Sequence, residues 1–192
     1  MLVEPKFGPM EKGQADGISV RSMEMFQAFG FAEKVMRESV WINETTFWAA
    51  GAESLLERVA RVQDVPDGIS EMPHVLLNQA RVHDMFLDLM RDGPTKLEPD
   101  YGLKVVDLEI DPNAKDYPVT VTLEHTDLAR LGQTTQLRAN YVIGCDGARS
   151  KVREHMATGL DDLGLHQAWL VIDVELRQDL DLPVATVQYC NP

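Results

Sequence analysis

Tyr141-Val142-Ile143-Gly144-Cys145-Asp146-Gly147-Ala148-Arg149-Ser150 is the stretch that decides the fold. Its apolar opening reads as the end of a buried strand covering residues 136–143. A helix over residues 148–155 follows, so the aspartate sits in a glycine-flanked turn between the two. Glycine lets a backbone pass close to a ligand, and N–H groups at a helix start favour an anion. An aspartate in that turn repels phosphate directly. It is better suited to fixing the loop, or to accepting from a ribose hydroxyl or a bound water. The same residues also read as a plain strand–turn–helix link with an aspartate cap.

Upstream, two further β runs are expected at 103–110 and 119–125, from alternating apolar residues. The clearest amphipathic helix is expected at 80–91. There Val82, Met85, Phe86, Leu89 and Met90 form one stripe, and Gly93-Pro94 ends it. Short strands are expected at 45–49, 56–62 and 74–77. Ser19 is expected to cap a helix reaching Phe29, with Gly30 as its stop, and a shorter helix spans 32–38. Leu2-Val3-Glu4 reads as the end of a strand. Downstream, strands are expected at 169–176, with Trp169 packed in the core, and at 186–189. The fold class is therefore mixed α/β.

The chain has 192 residues, 44% of them hydrophobic, an ordinary globular share. No apolar run approaches the roughly 20 residues that span a bilayer, and the first residues do not form a signal peptide. Cys145 and Cys190 cannot build a disulfide framework, which points to a reducing cytoplasm. A formal net charge of −13 repels phosphate backbones and anionic lipid, so nucleic acid and membrane are set aside as partners. His83, His125, His155 and His166 lack metal-ligand spacing, and no metal is expected.

Four segments, in order, resemble the FAD-dependent aromatic hydroxylases, in the phenol and 3-hydroxybenzoate branch. They are Val3-Glu4, then Gly13-Gln14-Ala15-Asp16-Gly17-Ile18 with Arg21, Met23 and Glu24. Asn78-Gln79-Ala80-Arg81-Val82-His83 and the Gly144–Ser150 turn complete the set. The resemblance implies a partial Rossmann-like, three-layer FAD-binding domain over residues 1–38 and 78–164. An interleaved, mainly antiparallel substrate domain would take 39–77 and 165–192. The family's Gly-x-Gly-x-x-Gly turn and its later Gly-Asp-Ala motif have no match, so the chain is expected to be an internal piece of the hydroxylase. Such a piece would lack turnover on its own and would be prone to association through an unpaired sheet edge. The full-length parent is a possible homodimer.

The implied reaction places one oxygen atom of O2 on a phenolic ring, with NAD(P)H reducing FAD. A phenol becomes electron-rich when its hydroxyl is deprotonated or strongly hydrogen-bonded. By the same resemblance, Asp16 is the acceptor for that hydroxyl. An ordinary aspartate has a pKa of about 4 and a phenol about 10, so full transfer is poorly matched; burial beside a ring narrows the gap for a carboxyl group. Glu4 would hold the adenosine ribose, Gln79 the ribityl chain or ring, and Gly144, Asp146 and Gly147 the cofactor turn. Arg81 is assigned to the cofactor as well. Gln14 either contacts the flavin or braces its loop. His74 would help hold a substrate carboxylate. The branch also uses a lysine on a later strand, and Val187-Gln188-Tyr189 offers none, so a neutral phenol remains the alternative. A same-fold FAD enzyme with other redox chemistry, or a chain that binds no flavin, are the competing readings.

Overall fold

A computed structural model describes residues 1–51, 56–156, 159–161, 164 and 187–190. The strand expected at 169–176, with Trp169, lies outside the described residues, as does His166. Chain contacts divide the protein into two compact units, one formed by residues 1–9 and 90–173 and the other by 10–89 and 174–192.

In the first unit, β1 (Val3–Glu4) pairs in parallel with β7 (Asp100–Tyr101). Strands β8 (Leu103–Ile110), β9 (Val119–His125) and β10 (Thr134–Ala139) form an antiparallel sheet in the order β10-β9-β8. Alternation in β9 puts Val119, Val121 and Leu123 on one buried face. There they meet Leu108 and Val152 of α4 (Lys151–His155). Each such side chain contributes about 1.5–3 kcal/mol by leaving water. His155 Nε2, 2.8 Å from Asp107 Oδ1, ties the helix to β8 next to a register shift between Val105 and Asp107.

The expected strand at 136–143 is displaced. β10 starts earlier, at Thr134, and ends at Ala139, while residues 141–147 have no regular structure. Val142 packs against the sheet's core, but Tyr141 is 90% exposed and Ile143 86%. The apolar run therefore keeps a strand's alternation without a strand partner among the described residues. The helix expected from residue 148 likewise begins at Lys151, with Ser150 as its N-cap.

In the second unit, α1 (Val20–Phe29) and α2 (Ala32–Glu38) join through Gly30, whose φ of 87° supplies the left-handed stop. Ser19 stands at the N-cap position of α1, but its hydroxyl lies 3.4 Å from Ser22 Oγ and caps no backbone N–H. Met23, Phe26, Phe31, Val35 and Met85 of α3 (Gln79–Asp92) form the core with Ile18 and Val75. Phe86 meets Phe26 and Phe31 edge-on, at centroid distances of 5.7 and 5.0 Å. Leu89, expected on the buried stripe of α3, is exposed. Strand β6 (His74–Leu76) lies between β2 (Gly17–Ile18) and β3 (Val40–Ile42), antiparallel to both. A second sheet pairs β4 (Glu44–Ala50) with β5 (Leu56–Gln63), antiparallel, and β11 (Val187–Cys190) with β4, parallel.

Candidate functional site

The expected site residues fall in both units, and each group has its own geometry. In the first unit the glycine-flanked turn is closed on itself. Asp146 Oδ1 accepts from Ser150 Oγ at 2.5 Å, and Oδ2 accepts from the backbone N–H groups of Lys151 at 2.6 Å and Val152 at 3.2 Å. Ser150 Oγ accepts from Arg153 N–H, and the Ser150 carbonyl from Glu154 N–H. All four N–H groups that open α4 are therefore taken. The aspartate fixes the loop and fills the helix start from within, so no anion is bound there.

Partial burial pushes the Asp146 carboxyl up. Hydrogen bonds from Ser150 Oγ and from the N–H groups of Val152 and Lys151 together outweigh it and hold the group below the usual carboxylate range. The two glycines differ. A Cβ on Gly144 would sit 2.7 Å from Val152 Cβ, so this glycine admits the helix. Gly147 has a φ of 77° and open space around its missing side chain. Glu4 closes β1, and its Oε1 accepts from Lys6 N–H at 3.1 Å. Its paired residue, Tyr101, carries a buried hydroxyl with no hydrogen-bond partner. Burial first, and Glu4 second, push that phenol above its usual value, against a smaller opposing effect of Arg91.

In the second unit, Gln14 and Gln79 meet. Gln79 Oε1 accepts from Gln14 N–H at 2.8 Å, and Gly13 lies so close that a Cβ there would be 2.5 Å from Gln79 Cβ. The loop that carries Asp16 is thereby docked on the start of α3. Asp16 is exposed, and its carbonyl accepts from Leu77 N–H at 2.8 Å. Arg81 is committed elsewhere: Nε and Nη2 bind the two carboxylate oxygens of Glu38 at 2.5 and 2.9 Å, with Asp84 at 3.5 Å. That fork ties α3 to α2. His74 lies beside Gly17, with Nε2 3.8 Å from where a Gly17 Cβ would stand. Its other nitrogen, Nδ1, is 2.7 Å from Asp64 Oδ2. The sequence reading missed Asp64, which bears no motif of its own and meets His74 only through the fold. It also missed Tyr101. Among the described residues no cluster of His, Cys, Asp or Glu could hold a metal ion.

These elements can be set beside known proteins. The family model described as "FAD binding domain" matches residues 1–191. The chain belongs to this family. Within it, the chain is 54% identical over 175 residues to a 3-hydroxybenzoate 4-monooxygenase of Comamonas testosteroni, covering 90% of the chain and 27% of that protein. It is 36% identical to the FAD-dependent monooxygenase terD of Aspergillus terreus, over 90% of the chain and 28% of the relative. A phenol 2-monooxygenase of Aspergillus fumigatus, fsqG, is 29% identical over 93% of the chain and 29% of its own length. The chain thus spans between a quarter and a third of the length of these relatives.

Among solved structures, the flavin-dependent monooxygenase PieE in complex with FAD and substrate superposes with a TM-score of 0.66. The identity is 24%, over 83% of this chain and 28% of that one. The p-nitrophenol 4-monooxygenase PnpA of Pseudomonas putida gives 0.64 at 24% identity, over 80% and 36%. The fold of this FAD-binding family member is therefore the mixed α/β fold of the flavin-dependent monooxygenases. No described helix is long and apolar enough to cross a membrane.

The residues present suit the flavin nucleotide that the family is named for. The unpartnered Tyr101 hydroxyl, paired with a residue whose carboxylate ends a strand, leaves a polar position for a ligand hydroxyl. The open Gly147 turn leaves its backbone approachable. The α4 start, by contrast, has no donor left for a phosphate.

Proposed function

We propose that the chain is part of an FAD-dependent monooxygenase that hydroxylates a phenolic ring using NAD(P)H and O2. The observation that carries the reading is the edge formed by Asp16, Gly17 and His74. It brings an imidazole nitrogen against Gly17, the residue after Asp16, on a loop braced by the Gln14–Gln79 hydrogen bond. The kinship with the Comamonas testosteroni enzyme supports the same reading. When bound, FAD supplies the redox chemistry that activates O2.

Glu4 is assigned to the adenosine ribose, and Gly144, Asp146 and Gly147 to the turn facing the cofactor. In this assignment Asp146 acts by holding the turn, since its oxygens are already engaged. Gln14 and Gln79 are assigned to the flavin end, with Arg81 keeping the first turn of α3 in place. Residues 1–38 and 78–164 would then serve the cofactor, and 39–77 and 165–192 the substrate.

Asp16 is assigned to the ring hydroxyl. With an aspartate near 4 and a phenol near 10, complete proton transfer to a carboxylate in water is unfavourable by about six powers of ten. The role that fits is a short, charge-assisted hydrogen bond that draws the proton toward Asp16 and pushes electron density into the ring. His74 Nε2 is assigned to the far substituent of that ring, a carboxylate if the substrate is a hydroxybenzoate.

An absorption titration of the protein with FAD tests the cofactor assignment. The expected result is a saturable shift of the flavin bands, weakened at least several-fold by Asp146→Ala. Absence of any shift in the wild type at every ratio refutes the assignment.

A further inference from the structure

In the first unit a chain of short polar contacts links β8 to the glycine-flanked turn, and the reading above leaves its middle member unused. Asp107 of β8 places Oδ1 2.8 Å from His155 Nε2. The other ring nitrogen, Nδ1, lies 2.8 Å from the Lys151 carbonyl oxygen, one helical turn back. The backbone N–H of that same Lys151 donates to Asp146 Oδ2 at 2.6 Å. Lys151 therefore joins the histidine to the aspartate that fixes residues 144–147.

The partners decide the charge of the ring. A carbonyl oxygen and an ionised carboxylate only accept, so both ring nitrogens must donate and His155 is an imidazolium. Moving the shared proton to Asp107 is disfavoured, because an ordinary aspartate is about 2–3 pH units more acidic than a histidine. Asp107 Oδ1 also accepts from Leu108 N–H at 2.9 Å, which favours its ionised form. The Lys151 carbonyl first, and Asp107 after it, hold the ring's proton and raise His155 above the usual histidine value, against partial desolvation and the Lys151 charge. The other charges of α4 at this end are Glu154, which accepts from Lys151 Nζ at 2.6 Å, and Arg153. β9 meets α4 through Val119, Val121 and Leu123, which carry no charge. When the ring loses a proton, a nitrogen lone pair faces one of the two oxygens and the chain of contacts breaks there.

We propose that His155 is a positioning residue for the cofactor turn: as an imidazolium it fastens α4 to β8 and, through Lys151, steadies the turn around Asp146, so that FAD is held more tightly when His155 is protonated than when it is neutral. The proposal rests on the assignment of Gly144, Asp146 and Gly147 to the cofactor. A histidine whose folded value is raised contributes fully below about pH 6.5, and its contribution is lost as pH rises through the raised value. A purely structural clamp would make stability follow that course and leave FAD affinity indifferent to it.

Two measurements on the full chain test the proposal, and they fail separately. Titration of histidine-labelled protein by 15N NMR, with His155→Gln identifying the resonances, reads the ring. The wild-type ring is expected to titrate above about 6.5, with both nitrogens protonated on the acid side, and Asp107→Asn is expected to lower that value. A ring that titrates at or below the usual value, or one indifferent to Asp107→Asn, overturns the proposal.

Absorption titration with FAD, repeated from about pH 5.5 to about pH 9 across the histidine range, reads the affinity. The two side chains are 25% and 50% exposed, so salt weakens the pair and low ionic strength is the condition to use. Wild-type affinity is expected to fall about fivefold as pH rises through the His155 value, and by reciprocity FAD should raise that value by about 0.7 pH units. In Asp107→Asn the fall should move to lower pH, and in His155→Gln it should vanish. No fall in the wild type, or a fall that persists in His155→Gln, overturns the role. Absence of FAD binding by the wild type at every pH overturns the cofactor assignment and this role with it, while the NMR titration still decides whether the clamp exists. Thermal unfolding of each variant on the acid side separates these effects from loss of fold.

Discussion

Asp146 shows how a side chain's role can be legible in a sequence while its partners are not. Its glycine-flanked setting was legible, and so was a role in fixing the loop. That its two oxygens would absorb two helix N–H groups and a serine hydroxyl was not, because hydrogen bonds leave no periodic trace in a sequence. The closed arrangement makes a stability prediction. Asp146→Ala removes an N-terminal cap and should destabilise the protein by about 1–2 kcal/mol in urea unfolding, with Asp146→Asn losing less. The dependence on pH has a fixed sign. The folded-state value lies below the ordinary carboxylate value, so the contribution is complete above about pH 4 and is lost as pH falls through the lowered value. The wild-type advantage over Asp146→Asn should therefore shrink on the acid side of pH 4 and stay constant above it. An advantage that grows with acid would contradict the bonding described. Asp64 was illegible for a related reason: Asp64 and His74 are brought together by the fold, and no spacing between them announces it.

At the scale of elements, periodicity served well wherever an element was long enough to show a period. β8 and β9 begin and end at the residues expected, as does α2. The stripe of α3 was right in its inner members, Met85, Val82 and Phe86, and failed at Leu89, one turn from the helix end. β2 and β7, of two residues each, carry no alternation to read. The strand expected at 136–143 went wrong in the opposite way: its alternation is real, yet pairing with β9 ends at Ala139. Gly144 was expected to let the backbone pass close to a ligand, and the close approach within the protein itself is to Val152. Gly144→Ala should force its new methyl into Val152 and cost about 1–3 kcal/mol. Gly144→Ala with Val152→Ala should cost less than the sum of the two single changes, because the second makes room for the first. Full additivity in a thermal unfolding cycle would show that the two residues are not in contact.

Over the whole molecule, charge and exposed apolar surface oppose each other. The chain carries a formal net charge of −13, which keeps copies apart. Tyr141 and Ile143 stand almost fully in solvent in the first unit, and an unpaired apolar run of this kind favours association. Sedimentation should therefore find monomer at low ionic strength and a growing share of larger species as salt screens the repulsion. Tyr141→Lys should suppress that growth, and association unaffected by either salt or the substitution would place the sticky surface elsewhere. The division of the chain has a consequence for its synthesis. Val3 pairs with Asp100, and everything needed for the second unit's helical core lies in between. At roughly 5–20 residues per second on the ribosome, β1 waits about five seconds or longer for its partner to emerge. The inner unit has the chance to close first, before β1 and β7 come together.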